Sequence, residues 1–204
     1  AYTIHRKNDI DYETVGMPFN GVEIDISDPD AEGLGEIIVK NKNCMNGYFR
    51  NNGKDQKISS ADWFHTGDAG YFNKAGHLVV IDRITDLSFT SEKLRYSPQY
   101  LENKLKFSPF IAEAAVIGSN KPYLSAIICI RFSVLSKWAE QNRVAFTTYS
   151  DLASKLEIEK ILIEEVKKVN QSVPKRQIIR KFVLLYKEFD ADDDELTRTK
   201  KLRR

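Results

Sequence analysis

Trp63-Phe-His-Thr-Gly-Asp-Ala-Gly70 and, shortly after it, Gly76-His-Leu-Val-Val-Ile-Asp-Arg83 are the two stretches that decide how this chain folds. In the second, an apolar run follows a glycine turn, which predicts a strand over residues 77–81. In the first, glycine beside aspartate is typical of a tight turn, so we expect Thr66-Gly67-Asp68 to be a turn. The chemistry-bearing side chains should then lie in the loops between strands.

The part of the chain before residue 83 is predicted to be mostly β. Nine of the ten glycines of the chain lie there, and they divide it into short segments. Residues 22–26 alternate between apolar and polar side chains with a period of two, and residues 35–40 form a second strand candidate. A turn-rich subdomain of short strands is the expected result.

After residue 98 the pattern becomes mixed. Pro98 suits the first turn of a helix, and the apolar residues of a later segment recur with a helical period, with only Ile161 outside the apolar face. The predicted elements are a helix over residues 98–106, a hairpin of strands over 111–117 and 123–130, a helix over 151–173 and a strand over 181–186. Together they predict an α+β fold, with a short sheet flanked by helices.

Composition and charge exclude several classes of protein. Lys+Arg number 31 and Asp+Glu 29, so the net charge of +2 gives no field that would recruit nucleic acid. Cys44 and Cys129 lack the spacing of metal ligands, which favours a reducing, cytoplasmic setting. No apolar run approaches the ~20 residues of a membrane span, and the N-terminus has no signal pattern. We expect a protein that neither spans a membrane nor is exported.

The two opening stretches resemble W-x-H-T-G-D-x-G and G-x-L-x-I-x-D-R of acyl-adenylating enzymes, the AMP-forming acyl-CoA synthetase superfamily. The closing run, Glu195-Leu-Thr-Arg-Thr-Lys-Lys-Leu-Arg-Arg204, is similar to E-L-T-P-T-x-K-x-K-R of the long-chain fatty acid:CoA ligases, with Arg198 in place of proline. Two N-terminal stretches, which begin at Val15 and Gly35, extend the resemblance to nearly the whole chain. It implies that residues 1–84 are the C-terminal β subdomain of a large adenylation domain and residues 85–204 a mobile C-terminal domain.

The resemblance also assigns roles to single residues. Asp68 would hold both ribose hydroxyls of ATP, and Arg83 would be the second ribose contact. Lys201 would reach the nucleotide during adenylation, with Lys200 as the competing assignment. Thr85 would be the hinge of the mobile domain. From the residues alone, Asp68 can instead belong to a plain turn, and Arg83 to a surface ion pair with Asp82 or Asp86.

A third set of residues would border the tunnel for the thiol of coenzyme A. Ser91, Glu92 and Lys93 fall in a segment similar to D-L-I-K-T-S-G-G-K-Y-V-S-P, where Glu92 and Lys93 stand at the two glycine positions. Glycine there permits close backbone approach and unusual backbone angles. This is the clearest departure from the pattern, and it concerns thioester formation more than adenylation.

The implied activity is ATP-dependent ligation of a long-chain fatty acid to coenzyme A, with Mg²⁺ support and an acyl adenylate as intermediate. The glycine-rich phosphate loop and the Y-G-x-T-E motif of the family have no counterpart in the 204 residues. We therefore expect a C-terminal fragment that is inactive by itself. A ligase of another carboxylate, a non-catalytic homologue and a module that binds anionic surfaces are the alternatives, and peripheral contact with the inner membrane face is a further expectation.

Overall fold

The computed structural model describes residues 2–42 and 63–190. The chain divides into two compact units, Ala1–Leu87 and Ser88–Arg204. The division falls close to the predicted domain limit after residue 84, and the predicted domain roles stay predictions.

The first unit is built from short antiparallel strands. The strands in the described part of this unit are β1 (Thr3–Ile4), β2 (Met17–Pro18), β3 (Val22–Ser27), β4 (Gly35–Asn41), β5 (Phe64–Phe72) and β6 (Leu78–Arg83). Four of these form one sheet in the order β3-β4-β5-β6, and β1 and β2 pair as a small ribbon. A 3-10 turn, Ile84–Asp86, follows β6. The predicted strands at residues 22–26, 35–40 and 77–81 are confirmed within the usual uncertainty of strand ends.

The segment before β2 is fastened to the edge of the sheet. The amide of Val15 donates to the carbonyl of Leu78 (2.9 Å). His77 is buried, and its two ring nitrogens lie 2.9 Å from Asp9 Oδ1 and 3.2 Å from Thr14 Oγ1. A buried imidazole with a partner on each nitrogen avoids the cost of an unpaired polar group, and it ties this segment to the start of β6.

The second unit places helices against a three-stranded sheet. Its described elements are β7 (Ser88–Phe89), β8 (Arg95–Tyr96), α1 (Pro98–Lys106), β9 (Ile111–Ile117), β10 (Leu124–Ile130), α2 (Phe132–Gln141), α3 (Tyr149–Ala153), α4 (Leu156–Gln171) and β11 (Ile179–Leu184). The order in the sheet is β11-β10-β9, and β10 runs antiparallel to β9 and parallel to β11. The core consists of apolar side chains from the sheet and the helices, and the buried thiol of Cys129 lies in β10. The predicted α+β class is confirmed.

Helix α1 has the bounds that the sequence predicts. Ser97 is its N-cap and accepts a hydrogen bond from the amide of Tyr100 (2.9 Å), and Pro98 follows at the first helical position. The carboxylate of Glu102 is buried in this helix and accepts a hydrogen bond from the amide of Val116 in β9 (2.8 Å). This bond joins the helix to the sheet.

The single helix predicted over residues 151–173 is wrong, because the chain forms α3 and α4 with a break between them. Lys155 has extended backbone angles (φ −72°, ψ 135°), and Ser154 donates its hydroxyl to the carbonyl of Asp151 (2.8 Å). Serine side chains compete in this way with helical hydrogen bonds. Leu156, predicted to lie on the buried face, is 68% exposed. Helix α2 and strand β5 were not predicted.

Along the described residues, no helix is both long enough and apolar enough to cross a membrane.

Candidate functional site

Asp68 and Arg83 lie opposite each other on neighbouring strands of the first unit. They are register partners in β5 and β6, and Arg83 Nη1 is 3.1 Å from Asp68 Oδ1. The same nitrogen donates to the carbonyl of Thr66 (3.3 Å). The side chains are 40% and 63% exposed, and a pair this exposed contributes little to stability. A ligand in solution can reach both groups.

The turn predicted for Thr66-Gly67-Asp68 is wrong, as is the location of the chemistry in loops, because all three residues belong to β5. The register of β4 with β5 shifts at this point: Glu36 pairs with Ala69, and Ile38 pairs with His65. Three residues of β5, 66–68, therefore lie opposite the single residue Ile37 of β4. Thr66 donates its hydroxyl to the carbonyl of Ile37 (2.7 Å) and accepts the amide of Asp68 (3.1 Å). Gly67 has φ +73°, which favours glycine. The segment is a β-bulge, a feature that re-aims side chains.

Glu36 holds this bulge from β4, and the sequence analysis did not single it out. Its Oε1 accepts the amide of Gly67 (3.1 Å), and its Oε2 accepts Nδ1–H of His65 (2.8 Å). The available signal was the alternation of β4, which puts Glu36 on the polar face. Recognising the contact also requires the register with β5, which the sequence does not supply.

A cavity of about 350 Å³ opens beside Asp68 and Arg83 within the first unit. Its lining combines apolar side chains with the polar groups of Thr66, Asp68 and Arg83. Such a combination of apolar surface with a few polar groups is typical of small-molecule sites. The apolar part of the lining includes Val15, Ile24, Ile37, Val39, Leu78 and Val80.

The chemistry of the pair fits the ribose of a nucleotide. A carboxylate offers two acceptor oxygens to a vicinal diol, and a guanidinium adds planar, permanently charged donors. The surface ion pair that the sequence left open for Arg83 does exist, but its partner is Asp68 rather than Asp82 or Asp86. In residues 2–42 and 63–190, no group of three or more His, Cys, Asp or Glu side chains could hold a metal ion. We therefore derive no Mg²⁺ site from these residues.

Ser91, Glu92 and Lys93 form the tip of the turn between β7 and β8 in the second unit. Lys93 has φ +59° and donates its amide to the carbonyl of Thr90 (3.0 Å). The amide of Ser91 donates to the carbonyl of Lys121 (3.0 Å). The turn thus uses the left-handed backbone angles that glycine favours, although the side chain is lysine.

Lys93→Gly is expected to stabilise the second unit by about 0.5–1 kcal/mol, because it relieves the cost of a left-handed conformation in a residue with a Cβ. Glu92→Gly is the matched control. Glu92 is not among the residues with positive φ, so glycine there only adds freedom to the unfolded chain and is expected to destabilise. Hydrogen exchange of β10 amides measures both effects. Stabilisation by Glu92→Gly equal to that by Lys93→Gly would contradict the role of the backbone angle.

The remaining predicted site residues lie elsewhere. Thr85 is exposed in the 3-10 turn, where its hydroxyl donates to Asp86 Oδ1 (3.1 Å). Its hinge role stays a prediction. Lys200 and Lys201, with the whole closing run from Glu195, lie outside the described residues. The structure therefore brings Asp68 and Arg83 together, and the catalytic lysine stays a prediction.

The fold is that of the C-terminal part of adenylating enzymes. Residues 85–203 match the family described as AMP-binding enzyme C-terminal domain, and the chain belongs to this family. Long-chain-fatty-acid–CoA ligase FadD15 of Mycobacterium tuberculosis is 32% identical over 202 residues, which cover 98% of this chain and 33% of that protein.

Two solved structures have the same fold. O-succinylbenzoate coenzyme A synthetase MenE from Bacillus subtilis, in complex with ATP and magnesium ion, matches with a TM-score of 0.52 and 25% identity over 93% of this chain and 34% of its own. The anthranilate CoA ligase AuaEII, in complex with anthranoyl-AMP, matches with a TM-score of 0.56 and 17% identity over 98% and 35%. The chain spans about a third of the length of these proteins.

Proposed function

We propose that the 204 residues act as the C-terminal part of an ATP-dependent long-chain fatty acid:CoA ligase. The observation that carries the proposal is the Asp68–Arg83 pair, at 3.1 Å beside a cavity, in a chain of the AMP-binding enzyme C-terminal domain family. The long-chain substrate is supported by the closing run at Glu195 and by the name of the mycobacterial relative, FadD15.

In the proposed reaction, the fatty carboxylate attacks the α-phosphate of ATP, which gives acyl adenylate and releases pyrophosphate. The thiol of coenzyme A then attacks the acyl carbon, so that the thioester forms and AMP leaves. Mg²⁺ would neutralise phosphate charge. Asp68 and Arg83 hold the ribose, Lys201 stabilises charge at the α-phosphate, and Thr85 is the hinge between the two steps.

The turn at Ser91, Glu92 and Lys93 is proposed to border the path of the coenzyme A thiol. The positive φ of Lys93 supports this role, because lysine here adopts a backbone angle that glycine favours. We further propose a cytoplasmic location, with peripheral contact at the inner membrane face.

Thioester formation by the longer protein that carries these residues tests the proposal. With ATP, Mg²⁺ and coenzyme A, palmitate is expected to give acyl-CoA faster than octanoate or anthranilate, as measured by mass spectrometry. Faster turnover of anthranilate would favour a ligase of another carboxylate, and no product with any acid would favour a non-catalytic homologue.

For the 204 residues alone, we expect weak or absent ATP binding, because the sequence has no glycine-rich phosphate loop to hold the triphosphate. Isothermal titration calorimetry decides this point. Micromolar binding would contradict the inactivity that we propose for the isolated chain.

A further inference from the structure

We propose that Glu36 is a positioning residue for Asp68, acting from the opposite face of the sheet. The inference rests on the proposed function of Asp68 as the ribose ligand, but the contacts of Glu36 stand independently of it. Glu36 lies in β4, and its side chain is 22% exposed. Its hydrogen bonds go to Gly67 and His65 rather than to Asp68 or Arg83. Its effect on the position of Asp68 must therefore pass through the backbone of β5.

Glu36 and the cavity lie on opposite faces of the sheet. Ile37, the next residue of β4, lines the cavity, and successive residues of a regular strand face opposite sides of the sheet. On β5, Thr66 and Asp68 line the cavity, whereas Glu36 contacts His65 and Gly67. Glu36 therefore holds the two residues of β5 that come directly before the cavity-lining pair.

The bulge creates the need for such a contact. Because the pairing of β4 with β5 shifts at this point, the Gly67 amide donates to the side-chain oxygen of Glu36 rather than to a strand carbonyl. Gly67 also has φ +73°, and without a Cβ it restricts its own backbone less than any other residue would. Losing the contact would free the Thr66–Gly67 peptide, one peptide before Asp68, whose own amide donates to Thr66 Oγ1.

The geometry requires a forked side chain with a polar group on each branch. One carboxylate oxygen serves Gly67 and the other serves His65 (3.1 and 2.8 Å). Glutamine has the same shape and can keep both bonds. Its oxygen accepts from the Gly67 amide, and its NH2 group donates to Nδ1 of His65 when the ring proton is on Nε2. Glu36→Gln therefore removes the charge and keeps the contacts, whereas Glu36→Ala removes both. Comparing the two variants separates positioning from electrostatics.

Amide hydrogen exchange in the 204-residue chain tests the contact directly. Glu36→Ala is expected to raise the exchange rate of the Gly67 amide about tenfold or more, because that amide loses its partly buried hydrogen bond to Glu36. Glu36→Gln is expected to keep the wild-type rate, and amides of Val39 and Leu78 should be unchanged in both variants. Equal rates at Gly67 in wild type and Glu36→Ala would overturn the proposal.

The second measurement is the KM for ATP in the longer ligase. Glu36→Ala is expected to raise the KM for ATP about tenfold with little change in kcat, and Glu36→Gln should keep the wild-type KM. In the double variant, Glu36→Ala should not raise KM beyond the value for Asp68→Ala alone. If Asp68→Ala changes KM and Glu36→Ala does not, this inference fails while the proposed function stands. If Asp68→Ala has no effect, the proposed ribose site itself fails.

Discussion

Replacing Asp68 with alanine is expected to lower kcat/KM for ATP about 10²-fold in the longer ligase that we propose. The carboxylate would make two charge-assisted hydrogen bonds to ribose, each contributing roughly 1.5–3 kcal/mol. Loss of about 3 kcal/mol corresponds to a factor of about 10² in kcat/KM. Initial rates of pyrophosphate release over a range of ATP concentrations give the value.

The loss should appear mainly in KM. The ribose lies away from the reacting α-phosphate, so its contacts are equally strong in the ground state and the transition state. Asp68→Asn keeps one acceptor oxygen and loses the charge, and it is expected to lie between wild type and Asp68→Ala. A fall in kcat with unchanged KM would mean that Asp68 acts on the chemistry instead.

Asp25→Ala is the matched control for this experiment. Asp25 is an exposed aspartate on β3 of the same sheet, and its carboxylate accepts the amide of Ile26 (2.8 Å). Removing it changes a surface charge without touching the cavity, so KM for ATP should stay at the wild-type value. A loss similar to that of Asp68→Ala would show that the effect is a general one of charge.

The pairing of Asp68 with Arg83 illustrates what the sequence could predict. Their order in two stretches indicated a shared site by resemblance. The strand predicted at residues 77–81 ended two residues before Arg83, which the structure includes in β6. The sequence could not predict the bulge, because a bulge is a property of the register between two strands. For that reason, Asp68 was expected in a turn and Glu36 was not recognised.

The break between α3 and α4 has a related cause. Neither glycine nor proline interrupts residues 151–173. The spacing of the apolar residues therefore predicted one helix that continued through Ser154 and Lys155. The structure ends α3 through the hydrogen bond from Ser154 to Asp151, and an ion pair joins Lys155 Nζ to Asp151 Oδ1 (2.8 Å). Such local side-chain contacts outweigh an apolar periodicity that continues through them.

The turn at Lys93 marks a different limit of the sequence. Lysine at a glycine position suggested altered chemistry, but the backbone angle at that position is one that glycine favours. A substitution can change the side chain and leave the backbone conformation as it was. The sequence shows the change of side chain but not the backbone angle. The backbone here therefore supports the tunnel role more strongly than the residue type does.

Lys201→Ala is expected to lower the rate of pyrophosphate release about 10²-fold or more, and here the loss should appear in kcat. The ammonium group would stabilise negative charge that builds up at the α-phosphate only as the reaction proceeds. Such an interaction is stronger in the transition state than in the ground state, so its removal slows the step without weakening ATP binding. This is the opposite of the pattern expected for Asp68→Ala.

Lys200→Ala is the matched control, because it removes the same charge one residue away. If Lys201 is the catalytic lysine, Lys200→Ala should retain most of the wild-type rate. The reverse result would transfer the role to Lys200, and two unchanged rates would remove this run from the adenylation step. Thioester formation from preformed acyl adenylate and coenzyme A should survive Lys201→Ala, since the charge at the α-phosphate develops in the first step. Its loss would mean that the lysine is needed for the structure of the domain rather than for adenylation.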